Sequence, residues 1–156
     1  MPSIKTLSRH VLATCTRLRW LGPLVVRLIV GAAFVLTGWG KLHSLDNITS
    51  FFTDLHIPLP HANAVFVSTV ELVGGLLLIL GLGTRIAALL LASVMTVALG
   101  TAIVPKADSL LDLFSTIELT YLVIFVWLVV HGAGKISLDH VLARRGQADL
   151  QVGEAA

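Results

Sequence analysis

The chain has 156 residues, of which 56% are hydrophobic and only 13% are charged, and its formal net charge at pH 7 is +2. Soluble domains carry about 25% charged residues, so this composition excludes an ordinary soluble enzyme. The basic residues form no stripe with base-stacking aromatic residues, which argues against a nucleic-acid partner. We therefore predict a membrane protein whose main partner is the lipid bilayer.

The N-terminal segment precedes the first long apolar block. Its four basic residues are spread along it, and no clean apolar core precedes a cleavage site, so residues 1–21 are interpreted as a cytoplasmic segment and not as a signal peptide. Cys15 is the single cysteine, which excludes an internal disulfide.

Four apolar blocks follow, and each is long enough to cross a bilayer, which takes about 20 apolar residues in a helix. They cover approximately residues 22–42, 62–83, 85–105 and 111–131. We predict an all-α, polytopic membrane four-helix bundle over residues 22–142, built as two parallel helical hairpins. A flexible cytoplasmic tail is expected at 143–156.

Basic residues are distributed unequally between the two faces of this bundle. If the helices alternate in direction, nine of the eleven lysines and arginines share one face, and only Lys41 and Lys106 lie on the other. The positive-inside rule then places both termini in the cytoplasm, at the inner membrane if the source is bacterial. Arg27, about one turn into the first helix, is expected to extend back to the cytoplasmic interface as an anchor.

The longest loop, at 43–61, contains a predicted short helix. Asp46 is a candidate N-cap, and Phe51, Phe52 and Leu55 would share one face of the helix. Such a helix either lies flat on the outer membrane surface or forms a lid over a site between the spans.

Two nearly identical segments, STVEL at 68–72 and STIEL at 115–119, carry Glu71 and Glu118 within apolar surroundings. They fall on the second and fourth predicted helices, which run in the same direction, as in a parallel repeat. A charged side chain in the centre of a membrane helix costs about 3 kcal/mol, so two of them suggest a polar site inside the bundle. The alternative is a capping box, with Ser68 and Ser115 as N-caps and each glutamate in a first turn.

The residues near the two glutamates differ between the copies. Gly74 follows Glu71 by three positions and Tyr121 follows Glu118 by three, so each pair shares a helix face. We predict a ligand pocket in which Tyr121 hydrogen-bonds to Glu118 or to the ligand, while Gly74 and Gly75 leave room for it.

Lys41, at the end of the first helix, is the nearest candidate counter-charge for these acids. No metalloprotease, P-loop or nucleophile-elbow motif is present, so no catalytic residue is predicted. His43, His56 and His61 fall on the same predicted side and could gather around a metal. Their spacings match no metal-binding motif, so no metal site is predicted and this alternative stays open.

Three segments resemble the DoxX family of small four-helix membrane proteins, which is related to a subunit of a thiosulfate:quinone oxidoreductase. They are RLIVGAAFVLTGWGKL at 27–42, ELVGGLLLILGLGTRIAALLLA at 71–92 and GAGKISLD at 132–139. The resemblance implies the fold and the membrane location. The positions that it marks are Arg27, Gly31, Gly38, Lys41, Glu71, Gly75 and Arg85.

Two functions are compatible with these features. In the first, the protein is an accessory subunit of a membrane redox system and binds a quinone or similar lipophilic ligand near Glu71 and Glu118. In the second, it is a non-enzymatic membrane partner or small-molecule transporter, with a link to metal or oxidative stress. In both cases we expect the protein to bind a membrane or redox protein partner or to form a homo-oligomer, because a bundle of four helices leaves faces free for contact.

Overall fold

A computed structural model describes residues 20–134 and 136–143, and every regular element among them is helical. The predicted segment at 1–21 and the predicted tail at 143–156 therefore lie almost entirely outside the described residues. The helices are α1 (Leu21–His43), α2 (Leu45–Asp54), α3 (Pro60–Leu80), α4 (Thr84–Ala98), α5 (Leu110–Phe114) and α6 (Ile117–His131). Residues 138–143 form a last helical segment, α7.

Three of the four predicted spans have counterparts of sufficient length and hydropathy to cross a membrane: Leu21–His43, Pro60–Leu80 and Thr84–Lys106. The third consists of α4, a π-helical turn (Leu99–Ile103) and a 3-10 turn (Val104–Lys106). These bounds are close to those expected from the sequence, and the all-α membrane fold is confirmed.

The fourth predicted helix is interrupted, which corrects the expectation of one helix over 111–131. Thr116 has an extended backbone, with φ of −80° and ψ of 143°, and separates α5 from α6. The Ser115 and Thr116 hydroxyls donate to the carbonyls of Leu111 and Leu113, and such bonds compete with the helix. The remaining helix, α6, has 15 residues and so extends only about 22 Å.

The helices associate in two antiparallel pairs. Gly31 of α1 approaches Gly75 of α3, whereas Gly38, further along α1, approaches Leu72, which comes earlier in α3. Helices α4 and α6 form the second pair, and α3 contacts α4 to join the two. The buried core between them consists of Val30, Phe34, Leu78, Ala87, Ala88, Leu91, Ala92, Met95, Phe125 and Leu128.

Two glycines of the family pattern permit the close approach of α1 and α3. A Cβ on Gly38 would lie 2.5 Å from the Leu72 amide nitrogen, and one on Gly31 would lie 2.8 Å from the Gly75 carbonyl oxygen. Both neighbouring atoms belong to the backbone and cannot move independently of their helix. Gly31 and Gly38 therefore set the distance between these helices, which is the usual function of small residues between membrane helices.

Arg27 connects α1 to the segment after α6. Its residue surface is 1% exposed, and its guanidinium donates hydrogen bonds to the carbonyl of Ala133 and, at 2.8 Å, to that of Ile136. Gly81, with φ of +67°, lies against it, and a Cβ there would be 2.5 Å from Nη1. The expectation that Arg27 extends to the membrane surface is wrong, because its side chain is buried and its two terminal nitrogens donate to these carbonyls inside the protein.

The segment after α6 also caps α4. The carboxylate of Asp139 accepts hydrogen bonds from the amides of Gly83, at 2.7 Å, and Thr84, at 3.1 Å. Ser137 caps α7, since its hydroxyl oxygen accepts a bond from the His140 amide at 3.2 Å. The GAGKISLD segment thus binds Arg27 of α1 and caps α4, and so holds these two helices together at one end of the bundle.

Replacing Asp139 by alanine is expected to lower the free energy of unfolding by about 1 to 2 kcal/mol, because two amides at the start of α4 lose their acceptor. Thermal unfolding in detergent micelles measures the change. Asp108→Ala is the matched control, since Asp108 is exposed. An equal melting temperature for the two variants would contradict the capping function of Asp139.

Candidate functional site

A cavity of about 370 Å³ lies at the end of the bundle covered by α2, opposite the end at which Asp139 caps α4. Its wall is mostly apolar. The polar lining residues are Lys41, Asn63, Glu71, Ser93, Thr101 and Glu118. Both repeated glutamates and the predicted counter-charge therefore border one space.

Glu71 is deep in its helix. Helix α3 begins at Pro60, so Glu71 is not in the first turn, and only 2% of its side chain is exposed. Ser68 does not cap the helix, because its hydroxyl donates to the Ala64 carbonyl at 2.6 Å within α3. For this copy the capping-box alternative is excluded.

Lys41 is the counter-charge of Glu71, as the sequence suggests. Its ammonium nitrogen lies 2.6 Å from Oε1 of Glu71, and 33% of the lysine side chain is exposed. Oε2 of Glu71 is buried and has no hydrogen-bond partner among the described residues. A buried acceptor without a donor costs about 1 to 3 kcal/mol, so this oxygen requires an explanation.

Glu118 has a different position from Glu71. It lies in the first turn of α6, where the helix dipole favours a carboxylate, and it is half-buried. The expectation that it lies inside one span over 111–131 is wrong, because the helix that contains it begins at Ile117. Ser115 is not a cap either; Ser109 and Asp112 form the capping box of α5 instead.

Tyr121, Gly74 and Gly75 were predicted to line the ligand pocket, but none of them lies in the cavity wall. The ring of Tyr121 packs edge-on against Phe34, with ring centroids 5.0 Å apart. A Cβ on Gly74 would meet Leu91 of α4 at 3.0 Å, and one on Gly75 would meet the Gly31 carbonyl at 2.7 Å. Gly74 and Gly75 are buried by contacts between helices, Tyr121 is partly buried against Phe34, and none of the three lines the cavity.

Helix α2 covers the cavity, with Phe51, Phe52 and Leu55 in its wall. The short helix is therefore confirmed, and it packs against α3. Asp46 is not its N-cap. That position belongs to Ser44, which makes no side-chain capping bond, and Asp46 lies in the first turn.

The sequence reading missed the π-helical turn, which contributes Thr101, Ala102 and Ile103 to the wall. Pro105 is the signal that would have indicated it. Proline has no amide hydrogen and clashes with the carbonyl four residues earlier, here that of Thr101. The wider turn accommodates this break, and such turns occur often at functional sites.

Arg85 and the histidines considered as metal ligands do not line the cavity. Arg85 lies at the opposite end, where its guanidinium donates to the Val130 carbonyl at 3.4 Å. The His43 ring packs against Trp39 at a tilted angle of 43°, with ring centroids 4.4 Å apart, and His61 lies near Thr49. In residues 20–134 and 136–143 no three histidine, cysteine or acidic side chains form a metal cluster, so the histidines do not gather.

Comparisons with known proteins identify the family of the chain. The DoxX family model matches residues 22–104, which include α1 to α4 with Lys41 and Glu71 but exclude Glu118. The chain is 30% identical over 121 residues to the Bacillus subtilis (strain 168) protein named "Putative oxidoreductase CatD", covering 76% of this chain and 85% of that protein. No solved structure matches the chain. The protein is thus an integral membrane protein that belongs to the DoxX family.

Proposed function

We propose that this protein is an accessory subunit of a membrane redox system and binds a quinone or a similar lipophilic ligand in the cavity beside Glu71. The observation that carries the proposal is the buried Glu71 carboxylate, one oxygen of which is paired with Lys41 and the other without a partner. The similarity to a protein named as an oxidoreductase supports the redox class.

The cavity residues fit a ligand of this kind. A volume of about 370 Å³ lies within the range of small-molecule sites. Phe51 and Phe52 offer aromatic surfaces for a ring, and Lys41 offers a hydrogen-bond donor to a ring oxygen. A bound quinone would supply electron transfer coupled to proton transfer. The protein residues would orient the ring and exclude water.

The two glutamates would have separate functions in this site. Glu71, which is buried, would hold the polar end of the ligand together with its partner Lys41. Glu118, which is half-buried at the start of α6, would hold or release a proton near the surface. This division follows from their different burial, although they share a sequence motif.

We further propose that the protein lies in a bacterial inner membrane with both termini in the cytoplasm, so that the cavity opens toward the periplasmic side. The distribution of basic residues supports this orientation. The apolar outer faces of the helices would contact lipid and a redox protein partner or a second copy of the chain. Exposed residues such as Ile29, Leu36 and Ile86 supply such a surface.

Purification in mild detergent, followed by solvent extraction and ultraviolet spectroscopy, is expected to recover quinone with the wild-type protein. Glu71→Leu should reduce the recovered quinone at least tenfold, because the polar anchor is lost. Asp54→Asn removes an exposed carboxylate that does not line the cavity and should leave recovery unchanged.

Absence of quinone from the wild-type extract, together with no thermal stabilisation by added quinone, would contradict the proposal. The ion pair would then be a structural element of a non-enzymatic membrane partner or small-molecule transporter. Membrane-fraction levels of each variant, measured by immunoblot, separate loss of ligand from loss of folded protein.

A further inference from the structure

The polar groups of the cavity wall offer more hydrogen-bond acceptors than donors. The hydroxyl of Ser93 donates to the Leu90 carbonyl at 2.6 Å, and that of Thr101 donates to the Val97 carbonyl at 2.8 Å. Each hydroxyl hydrogen is therefore used within its own helix. Only the lone pairs of these oxygens remain for a ligand.

The remaining polar groups extend the same pattern. The side-chain nitrogen of Asn63 donates one of its two hydrogens to the Pro58 carbonyl at 2.6 Å, so one N–H and the carbonyl oxygen remain. A carboxylate in an ion pair only accepts hydrogen bonds, so Oε2 of Glu71 requires a donor. Glu118 adds further acceptor oxygens. The remaining donors are the second N–H of Asn63 and the ammonium hydrogens of Lys41 that are not bonded to Oε1 of Glu71, and none of them bonds to Oε2.

An acceptor-rich cavity is satisfied by a ligand that donates hydrogen bonds. The carbonyl oxygens of a quinone accept hydrogen bonds, and at Glu71 they would face another acceptor without a hydrogen between them. The hydroxyl groups of a quinol donate, and hydrogen bonds to a charged group are about twice as strong as neutral ones. Matching a donor to a buried acceptor also removes the penalty for leaving it unpaired.

From this pattern we infer that the site selects the reduced, hydroxyl-bearing form of its ligand, a quinol, over the corresponding quinone. The inference rests on the proposed function and adds the oxidation state of the ligand. Glu71 is the residue that determines the preference, since its Oε2 is the buried acceptor without a partner.

The test compares three probes that share one ring: duroquinol, duroquinone and the dimethyl ether of duroquinol. Binding to the full-length protein in detergent micelles is measured without oxygen by titration calorimetry. We expect the quinol to bind at least tenfold more tightly than either other probe, a difference of about 1.4 kcal/mol. The ether tests the hydroxyl hydrogens directly, because it lacks them and resists oxidation.

Glu71→Gln is the discriminating variant, because its amide presents a donor as well as an acceptor. It should bring the ratio of quinol to quinone affinity close to one, whereas Asp54→Asn should leave the ratio unchanged. Equal or tighter binding of the quinone by the wild-type protein would overturn the inference and leave the proposed function standing. Binding of no probe would overturn both.

Discussion

Replacing Lys41 by methionine is expected to lower the free energy of unfolding by about 3 kcal/mol. The change leaves the Glu71 carboxylate buried without the one partner that it has among the described residues, and breaking a buried ion pair costs about 3 to 5 kcal/mol. The lower end applies because one third of the Lys41 side chain is exposed, and water shares in its solvation. Unfolding by a denaturing detergent in mixed micelles, followed by circular dichroism, measures the change.

The double variant Lys41→Met, Glu71→Leu should recover most of this stability, because it removes the charge that was left unpaired. Lys106→Met is the matched control: Lys106 is exposed and makes no ion pair among the described residues. Additive effects of the two single variants would show that Lys41 and Glu71 do not interact. That result would also remove the physical basis of the ligand site.

Recovery of stability in the double variant would indicate that the Lys41 to Glu71 pair is kept for function. An apolar pair of similar volume is often as stable as a buried ion pair, so stability alone does not require these charges. The unpaired Oε2 of Glu71 adds a further cost that an apolar residue would avoid. Our proposal explains why the protein keeps both destabilising features: the ion pair and the free Oε2 bind the ligand.

Hydropathy was sufficient to predict the long helices, because spanning length and apolar composition are both visible in sequence. The Lys41 to Glu71 pair was also predictable, since the two residues are the nearest opposite charges in apolar surroundings. Glu118 was not placed correctly. Its segment matches that of Glu71, yet the helix breaks at Thr116 because of side-chain bonds that the composition does not reveal.

The glycines show a second limit of sequence reasoning. Gly74 and Gly75 were expected to leave space for a ligand, but their space is filled by Leu91 and by α1. A glycine permits close approach, and sequence cannot tell whether a helix or a ligand makes that approach. The partner is determined by the relative rotation of the helices, which arises only when all of them pack.

Gly38→Ala is expected to destabilise the protein by about 3 kcal/mol, the upper part of the range for overpacking. The new Cβ would lie 2.5 Å from the Leu72 amide nitrogen and 2.8 Å from the Ser68 carbonyl oxygen. These are backbone atoms, so α1 and α3 must separate along their whole contact. Gly40→Ala is the matched control in the same helix, because nothing lies within 4 Å of its Cβ position.

The same substitution should also weaken the ligand site, because Gly38 is one turn before Lys41 and its contacts flank Glu71 on α3. Separation of the two helices would lengthen the 2.6 Å bond between Lys41 and Glu71. We therefore expect Gly38→Ala to lower both the melting temperature and quinol affinity, whereas Gly40→Ala changes neither by much. Loss of stability with unchanged affinity would contradict this link, since it would mean that the site tolerates movement of α1 relative to α3.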